Sequence, residues 1–266
     1  MKKIFVLSLI LLIPTFIIRL NASKKSNLTI YIQCDFFLVD NLNNIYTINN
    51  NKVSKIDSTG KVIGIFDSKS YGRIGWLDIS NPLKIMIFYS ETNKVQFLDR
   101  SLAPLENPID LFSIFNENFS LACVSYSNGL WLYNMASASL LRVDNQINIT
   151  SKIENLSTQF DTIFAPNLLI EIEDKLLMGD PNNGIVIFDR WGAIIKRIPI
   201  KYNGRFNMAN NTLFYHRSDT LYGYSQLSFE EKPLFVADYQ IKNTFVTKTD
   251  FYIQSIQDTI FRFSIQ

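Results

Sequence analysis

The stretch Lys55-Ile56-Asp57-Ser58-Thr59-Gly60 places an aspartate and a turn at the end of a short apolar strand, and it recurs in outline three more times. The other copies are Phe97-Leu98-Asp99-Arg100, Arg142-Val143-Asp144-Asn145 and Ile187-Phe188-Asp189-Arg190-Trp191-Gly192. Successive aspartates lie 42, 45 and 45 residues apart. A period of roughly 40 to 45 residues built only from strands is typical of β-propeller blades. The sequence therefore predicts an all-β propeller.

The number of blades follows from what is left over at the two ends. Alternating patterns and turn residues between Phe36 and Ala237 account for five blades of four antiparallel strands. The C-terminal unit has only three strands, the last at Thr259–Ile265. An unassigned strand at residues 27–33 would complete that unit and remove its exposed edge. We therefore predict a six-bladed β-propeller over residues 23–266, closed by an N-terminal strand in the last blade.

Residues 1–22 have the pattern of a signal peptide rather than of the fold. Lys2 and Lys3 precede an apolar run from Ile4 to Ile18, and Ala22 provides a small residue for cleavage. The run is shorter than the roughly 20 residues that span a bilayer. We expect cleavage and a location in the periplasm or at the cell surface. The alternative is an N-terminal membrane anchor.

Charge excludes one broad class of partner. Loss of residues 1–22 would leave 23 basic and 24 acidic residues, a net charge of −1. A nearly neutral chain has no general electrostatic attraction to nucleic acid or to an anionic membrane surface. We therefore expect no nucleic-acid partner and no membrane insertion after cleavage.

Several segments resemble a known group of proteins. The run from Asp40 to Tyr46, with Lys55 to Lys61, resembles the blades of six-bladed NHL-like and TolB-like propellers. The run from Asp78 to Ile85, continuing to Asp99, is similar to exported propellers of the Bacteroidetes kind. The resemblance covers nearly all of residues 27–266 and implies the fold and export. It implies little about function, because this fold serves scaffolds, lyases, hydrolases and sugar binders.

A search for chemistry predicts no catalytic residue, no cofactor and no metal. The chain has a single histidine, His216, at the end of a predicted strand. The inner strands offer only Asp78, Glu171 and Glu173 as channel acids, whereas a metal site needs several converging ligands. Lyases of the related streptogramin-opening type use a histidine in the central cavity. The alternative interpretation is therefore that His216 is the catalytic histidine of such a lyase.

Other residues have structural and functional interpretations. We expect Cys34 and Cys123 to be separately buried, with a disulfide as the alternative. Trp76 and Trp131 fall inside strands, where packing between blades is favoured over a sugar platform, and Trp191 in a turn should be exposed. Four positions resemble the Asp-Ser/Thr-apolar acceptor of bacterial O-glycosylation: Ser58, Thr162, Thr220 and Thr259.

Two functions from different classes remain. The first is a non-catalytic scaffold, monomeric within a complex, that binds another envelope or outer-membrane protein. The second is an enzyme (lyase or hydrolase) or a carbohydrate or small-ligand binder that uses the central channel. A channel lined by three or more acids and amides would favour the second. For the first, the candidate residues share one face of the disc: Tyr71, Arg73, Glu91, Asn93, Asp180, Asn182, Asn183, His216 and Arg217.

The signal-peptide pattern of residues 1–22 leads to a testable prediction. Because the apolar run is short and ends near Ala22, we expect the mature chain to begin near Ser23 and to be recovered outside the cytoplasm. N-terminal sequencing of the native protein measures this. Recovery of chains that still carry Met1 in a membrane fraction would identify an anchor instead.

Overall fold

The computed structural model describes residues 25–160 and 164–265, and it contains six four-stranded antiparallel sheets. Five sheets use consecutive strands, and the sixth joins both ends of the chain. The six-bladed propeller predicted from the sequence is thus confirmed. No helix in these described ranges is long and apolar enough to cross a membrane.

The strands follow one another in the order that the blades require. The chain enters through β1 (Leu28–Tyr31). Blade one contains β2 (Phe36–Val39), β3 (Ile45–Asn49), β4 (Lys52–Ile56) and β5 (Val62–Asp67). Blade two contains β6 (Trp76–Asp78), β7 (Ile85–Tyr89), β8 (Lys94–Leu98) and β9 (Ile109–Asp110). Blade three contains β10 (Leu121–Ser125), β11 (Gly129–Asn134), β12 (Ser139–Val143) and β13 (Ile149–Ile153).

The second half of the chain repeats the pattern and closes it. Blade four contains β14 (Leu168–Ile172), β15 (Lys175–Asp180), β16 (Gly184–Phe188) and β17 (Ile194–Ile198). Blade five contains β18 (Asn203–Ala209), β19 (Thr212–Arg217), β20 (Thr220–Ser225) and β21 (Glu231–Val236). Blade six contains β22 (Ile241–Val246), β23 (Asp250–Ser255) and β24 (Thr259–Ser264), with β1 as its outermost strand.

Antiparallel order gives the disc two distinct faces. We call the face with the loops between second and third strands, and with the connections between blades, the upper face. The lower face carries the loops between first and second strands and those between third and fourth strands. The innermost strand of each blade therefore runs from the upper face to the lower face.

The ring closes through backbone pairing and side-chain hydrogen bonds. In β1, Leu28 pairs with Arg262 and Tyr31 pairs with Thr259. Lys242 of blade six donates to the Cys34 carbonyl at 2.8 Å, and Asn243 donates to the Asp35 carbonyl at 3.1 Å. These bonds satisfy the backbone just before blade one and lock the first blade to the last.

The repeated aspartates have one shared geometry. In each, the carboxylate oxygen Oδ1 accepts the backbone N–H groups of the second and fourth following residues, at 2.8 to 3.0 Å. The third following residue has positive φ, which glycine adopts without strain in Gly60 and Gly192. Hydroxyl hydrogen bonds from Thr59 and Ser101 lower the pKa of Asp57 and Asp99. The backbone of Asn148 does the same for the pKa of Asp144.

These turns also receive bonds from the neighbouring blade. Lys55 on the third strand of blade one donates to the carbonyl of Arg100, the residue after Asp99, at 2.9 Å. Arg142 donates in the same way to the Arg190 carbonyl at 3.1 Å, and Arg262 to the Ser58 carbonyl at 3.5 Å. Three of the four aspartate turns, those of Asp57, Asp99 and Asp189, thus end their own strands and present an acceptor to the adjacent blade.

Blades two, three and five contain departures from the regular pattern. The short fourth strand β9 runs into a helix, α1 (Leu111–Phe115), which the sequence did not predict and whose Ser113 N–H is capped by Asp110 at 3.0 Å. Short 3-10 turns lie at Tyr126–Asn128 and Leu156–Gln159. In blade five a longer turn follows β20, with the Ser225 hydroxyl in the place of the aspartate.

The core residues occupy the spaces between blades. Trp131 is fully buried and Trp76 nearly so, whereas Trp191 is exposed, and all three outcomes confirm the sequence prediction. Cys34 and Cys123 are both buried and form no disulfide, which confirms separate burial. Burial raises the pKa of the Cys34 thiol to about 12. Both cysteines therefore behave as small apolar core residues.

Ring closure generates a prediction about truncation. A chain that starts at Asp35 lacks β1, so it exposes the edge of β24 and removes the apolar cover of Ile30 and Ile32 from the core. We expect aggregation and a lower Tm, measured by light scattering and thermal denaturation. A chain that starts at Ser26 keeps β1 and is the control. An unchanged Tm and a monomeric state in the shorter chain would contradict this.

Candidate functional site

The axial channel opens on the lower face as a cavity of about 600 Å³. Its walls come from the lower ends of the innermost strands and from the loops that follow them. Apolar side chains dominate the wall: Leu38, Trp76, Ile79, Ile170, Phe206, Met208 and Phe245. Ligand cavities commonly measure about 300 to 1,000 Å³ and have mainly apolar walls, so this cavity has the size for a small molecule.

Three acids and three amides also line this cavity: Asp40, Asp78, Glu171, Asn41, Asn43 and Asn207. By number alone this meets the criterion for a ligand-binding channel. What these groups can do chemically depends on the hydrogen bonds that they already make.

The three acids hold loops and neighbouring blades in place. Asp40 accepts the backbone N–H groups of Leu42 and Asn44, both at 2.9 Å, as the repeated aspartates do. Asp78 accepts the N–H of Ser80 in its own turn and the N–H of Val124 in blade three, again at 2.9 Å.

Glu171 performs the same task between blades three and four. It accepts the backbone N–H of Tyr126 at 3.0 Å and the indole N–H of the buried Trp131. The amide of Asn207 bonds both backbone groups of Val246, at 2.7 and 3.0 Å, and so ties blade five to blade six. The oxygen atoms of these side chains are therefore engaged in holding loops and blades together.

Metal binding finds little support in the side-chain arrangement. Within residues 25–160 and 164–265, no group of three or more His, Cys, Asp or Glu side chains is placed to hold a metal ion. Glu173, a candidate channel acid from the sequence, lies instead in the turn after β14 with a φ of 51°.

Arg205 crosses the upper part of the channel. It projects from the innermost strand of blade five, and its Nη2 reaches the Gly75 carbonyl of blade two at 3.4 Å. Its guanidinium carbon lies 3.7 Å from the ring centre of Phe36 and 5.4 Å from that of Trp76. Sequence reasoning missed this residue because its partners Gly75 and Phe36 are 130 and 169 residues away along the chain.

The structure separates the nine candidate upper-face residues into two groups. Asn93, Asp180 and His216 are buried, which corrects the expectation that they form part of an exposed surface. Asn93 accepts the Phe119 N–H of blade three, and Asp180 accepts the N–H groups of the loop residues Asn182 and Asn183. These side chains shape the loops from within.

The remaining six candidates stay at the surface in three places. Tyr71, Arg73 and Glu91 lie together, since Glu91 accepts the Arg73 N–H at 3.3 Å. Asn182 and Asn183 stand on blade four. On blade five, Arg217 pairs with Glu231 and lies 4.0 Å from the ring centre of Tyr222.

His216 is 1% exposed, and its Nδ1 atom is buried without a hydrogen-bond partner. Burial lowers its pKa to about 4, although a hydrogen bond with the Ile241 backbone opposes the shift. It lies at the upper end of β19 and is not among the residues lining the lower cavity. The position does not place His216 where the lyase interpretation requires it.

The lower face has an apolar character that sequence reasoning recognised only at Trp191. Large apolar side chains project from loop tips of five blades there and are mostly solvent-exposed: Leu42, Leu83, Tyr126, Trp191, Leu227 and Phe229. Trp191 is 67% exposed and Leu227 76%. The signal in the sequence was a large apolar residue inside a turn of polar residues, where packing does not require one.

The glycosylation candidates differ in accessibility. Ser58 is exposed on the lower face. Thr220 and Thr259 are buried, with relative exposures of 9% and 7%. Thr162 lies outside the described residues. Ser58 is therefore the described candidate that best suits an acceptor.

Comparison with known proteins identifies the fold. No protein-family model and no curated protein matches the sequence. The structure is similar to a catalytically inactive virginiamycin B lyase from Staphylococcus aureus solved with quinupristin: TM-score 0.59, 14% identity, 86% of this chain and 80% of that one. It is also similar to a protein of unknown function from Bacteroides caccae: TM-score 0.52, 12% identity, 78% of this chain and 81% of that one.

A third similar structure belongs to a different functional class. The WD40 domain of Pan2 from Neurospora crassa has a TM-score of 0.54 and 10% identity, over 87% of this chain and 74% of that one. Identities this low establish the propeller fold alone. Because lyases and WD40 domains both match, the fold does not select between an enzyme and a scaffold.

The buried histidine generates a prediction about pH. The unfolded chain binds a proton at His216 near pH 6.5, whereas the folded chain resists protonation until about pH 4. Stability is therefore complete above 6.5 and declines as pH falls through this window. We expect the free energy of unfolding to fall by about 2 kcal/mol between pH 7 and pH 5.

Denaturant titration at the two pH values measures the fall, and the His216→Gln variant is the control because it cannot titrate. His216 is the only histidine, so an NMR titration of its imidazole reports the same event in the intact protein. An imidazole midpoint near 6.5 in the folded protein would contradict the prediction.

Proposed function

We propose that this chain is a non-catalytic, exported propeller of the periplasm or cell surface that binds another envelope protein. The observation that supports it most is the set of exposed apolar loop tips on the lower face. Single exposed apolar residues are ordinary, but large apolar side chains at the loop tips of five blades give one face several anchors for a protein partner. Such surfaces use aromatic anchors, and Trp191 is of that kind.

We place the proposed protein-binding surface on the lower face rather than on the upper face. Three of the nine upper-face candidates are buried, and Arg73 and Arg217 already pair with Asp35 and Glu231. An interface there would have to break or share those ion pairs. On the lower face, the apolar tips lose only water on binding, which is the favourable term in association.

The acids that line the channel already accept structural hydrogen bonds, and this supports the non-catalytic part of the proposal. General acid–base catalysis needs a group that is free to exchange a proton with a substrate. Asp78 and Glu171 each accept N–H groups from the adjacent blade, so these oxygens are already engaged in contacts between blades.

A second candidate function rests on the lower cavity itself. Its volume of about 600 Å³ and apolar wall suit a small ligand, with Lys248 at the rim as a possible charged contact. In this alternative the propeller binds a small apolar molecule from the lower face. A saturable rise in Tm with such a ligand, lost when Met208 at the wall is replaced by Trp, would favour it over the scaffold.

The scaffold proposal predicts that the two faces respond differently to substitution. We expect the double variant Trp191→Ala with Leu227→Ala to reduce recovery of the partner at least tenfold, because truncating a buried anchor costs about 2 kcal/mol or more. The measurement is a pull-down of tagged protein from native envelope, followed by titration of the recovered partner.

Two controls make the result specific. Ile195→Ala removes a similarly exposed apolar residue from the outermost strand of the same blade as Trp191, and it should retain binding. Charge reversal at Arg73 and Arg217 tests the upper face. Loss of the partner only with the charge reversals would transfer the interface to the upper face, and chelator-sensitive turnover of a substrate would overturn the non-catalytic proposal.

A further inference from the structure

Arg205 forms no ion pair with any of the residues that the structure describes. A guanidinium has five N–H donors in one plane. The hydrogen bond to the Gly75 carbonyl is long, at 3.4 Å, and Nε is buried without a partner. No Asp or Glu among residues 25–160 and 164–265 lies within 4.0 Å of it as an ion pair. A buried charge in this condition is costly unless something pairs with it.

The aromatic neighbours contact the flat face of the guanidinium, but they offer no hydrogen-bond acceptor to the N–H groups at its edge. Phe36 and Trp76 stack on each other with ring centres 5.8 Å apart, and Arg205 lies over both. Cation–π contact uses the flat face of the guanidinium. The N–H donors lie within that plane; Nη2 donates to the Gly75 carbonyl at 3.4 Å and Nε has no partner.

A second unpaired donor lies in the same cluster. The indole Nε1 of Trp76 is also buried with no hydrogen-bond partner. Both orphan groups are donors, so the missing partner must be an acceptor. A ligand that satisfies both groups must therefore provide hydrogen-bond acceptors.

The charges around Arg205 favour an anion that approaches from the upper face. Arg73 is exposed there and lies 3.4 Å from Asp35, which also accepts the Asn50 N–H at 2.9 Å. Asp35 pairs with Arg73 and forms no ion pair with Arg205, so Arg205 has no carboxylate of its own. Burial lowers the pKa of Arg205 to about 10, and the charge of Asp35 partly opposes this shift. An added anion would therefore stabilise the charged guanidinium.

We propose that Arg205, assisted by Arg73, binds a carboxylate group at the upper end of the channel. A carboxylate is planar and accepts two parallel N–H bonds from a guanidinium edge, which matches the donors that the stack holds in place. Arg205 as a whole residue is half-buried, while its Nε atom is buried. The ligand is a small carboxylic acid or the carboxylate of a protein side chain or chain end. The site lies above the loop tips of the lower face and does not depend on the proposed function, although Trp76 also lines the lower cavity.

Thermal denaturation with added salts tests the site. We expect sodium acetate to raise Tm in a saturable way, while sodium chloride and sodium phosphate at matched ionic strength do not. Arg205→Met keeps an unbranched apolar side chain in the stack and should abolish the acetate-specific rise. Arg73→Gln, at an exposed position, should weaken apparent acetate affinity several-fold while the protein remains folded.

Saturation-transfer NMR on the unmodified protein keeps the proposal testable if Arg205→Met does not fold. Acetate signals should saturate and be displaced by a peptide with a free C-terminal carboxylate. Displacement by that peptide but not by its amidated form, at lower concentration than free acetate, assigns a protein chain end, and equal potency assigns a small acid. Equal effects of chloride, phosphate and acetate, or acetate binding that survives loss of Arg205, would overturn the carboxylate site.

Discussion

The turn built on each repeated aspartate is the constraint from which the rest of the propeller follows. One carboxylate oxygen accepts two backbone N–H groups that the turn would otherwise leave unpaired. The carbonyl after the aspartate is then held at a fixed place, where Lys55, Arg142 or Arg262 of the preceding blade donates to it. Strand ending and blade spacing are therefore set by the same few atoms.

Local turn chemistry explains why the fold could be predicted from the sequence. Asp57, Asp99, Asp144 and Asp189 interact only with residues up to four positions ahead, so their spacing is visible in the chain itself. The repeat disappears where the chemistry changes. In blade five Ser225 takes the position of the aspartate, and in blade six the turn is replaced by the join between β24 and β1.

The candidate site could be predicted only in part, because its residues act over long sequence separations. His216 appeared to be a turn residue, yet the following blade covers it and leaves it neutral. Arg205 gave no local signal, since its aromatic partners belong to blades one and two. Trp191 was the exception, because an exposed tryptophan in a polar turn is recognisable without knowledge of its neighbours.

The contrast between the channel acids and Arg205 shows how polar groups in a propeller should be interpreted. Asp78 and Glu171 face a cavity, but their oxygens are used in joining blades, so proximity to the cavity does not give them a chemical role. Arg205 is less accessible, yet its Nε has no hydrogen-bond partner and its Nη2 makes only a long bond of 3.4 Å. Unsatisfied hydrogen-bonding capacity at a fixed geometry indicates binding better than the number of polar residues at a cavity wall. By that criterion the two ends of this channel differ: the lower end is an apolar cavity with structural acids, and the upper end has donors arranged for an acceptor.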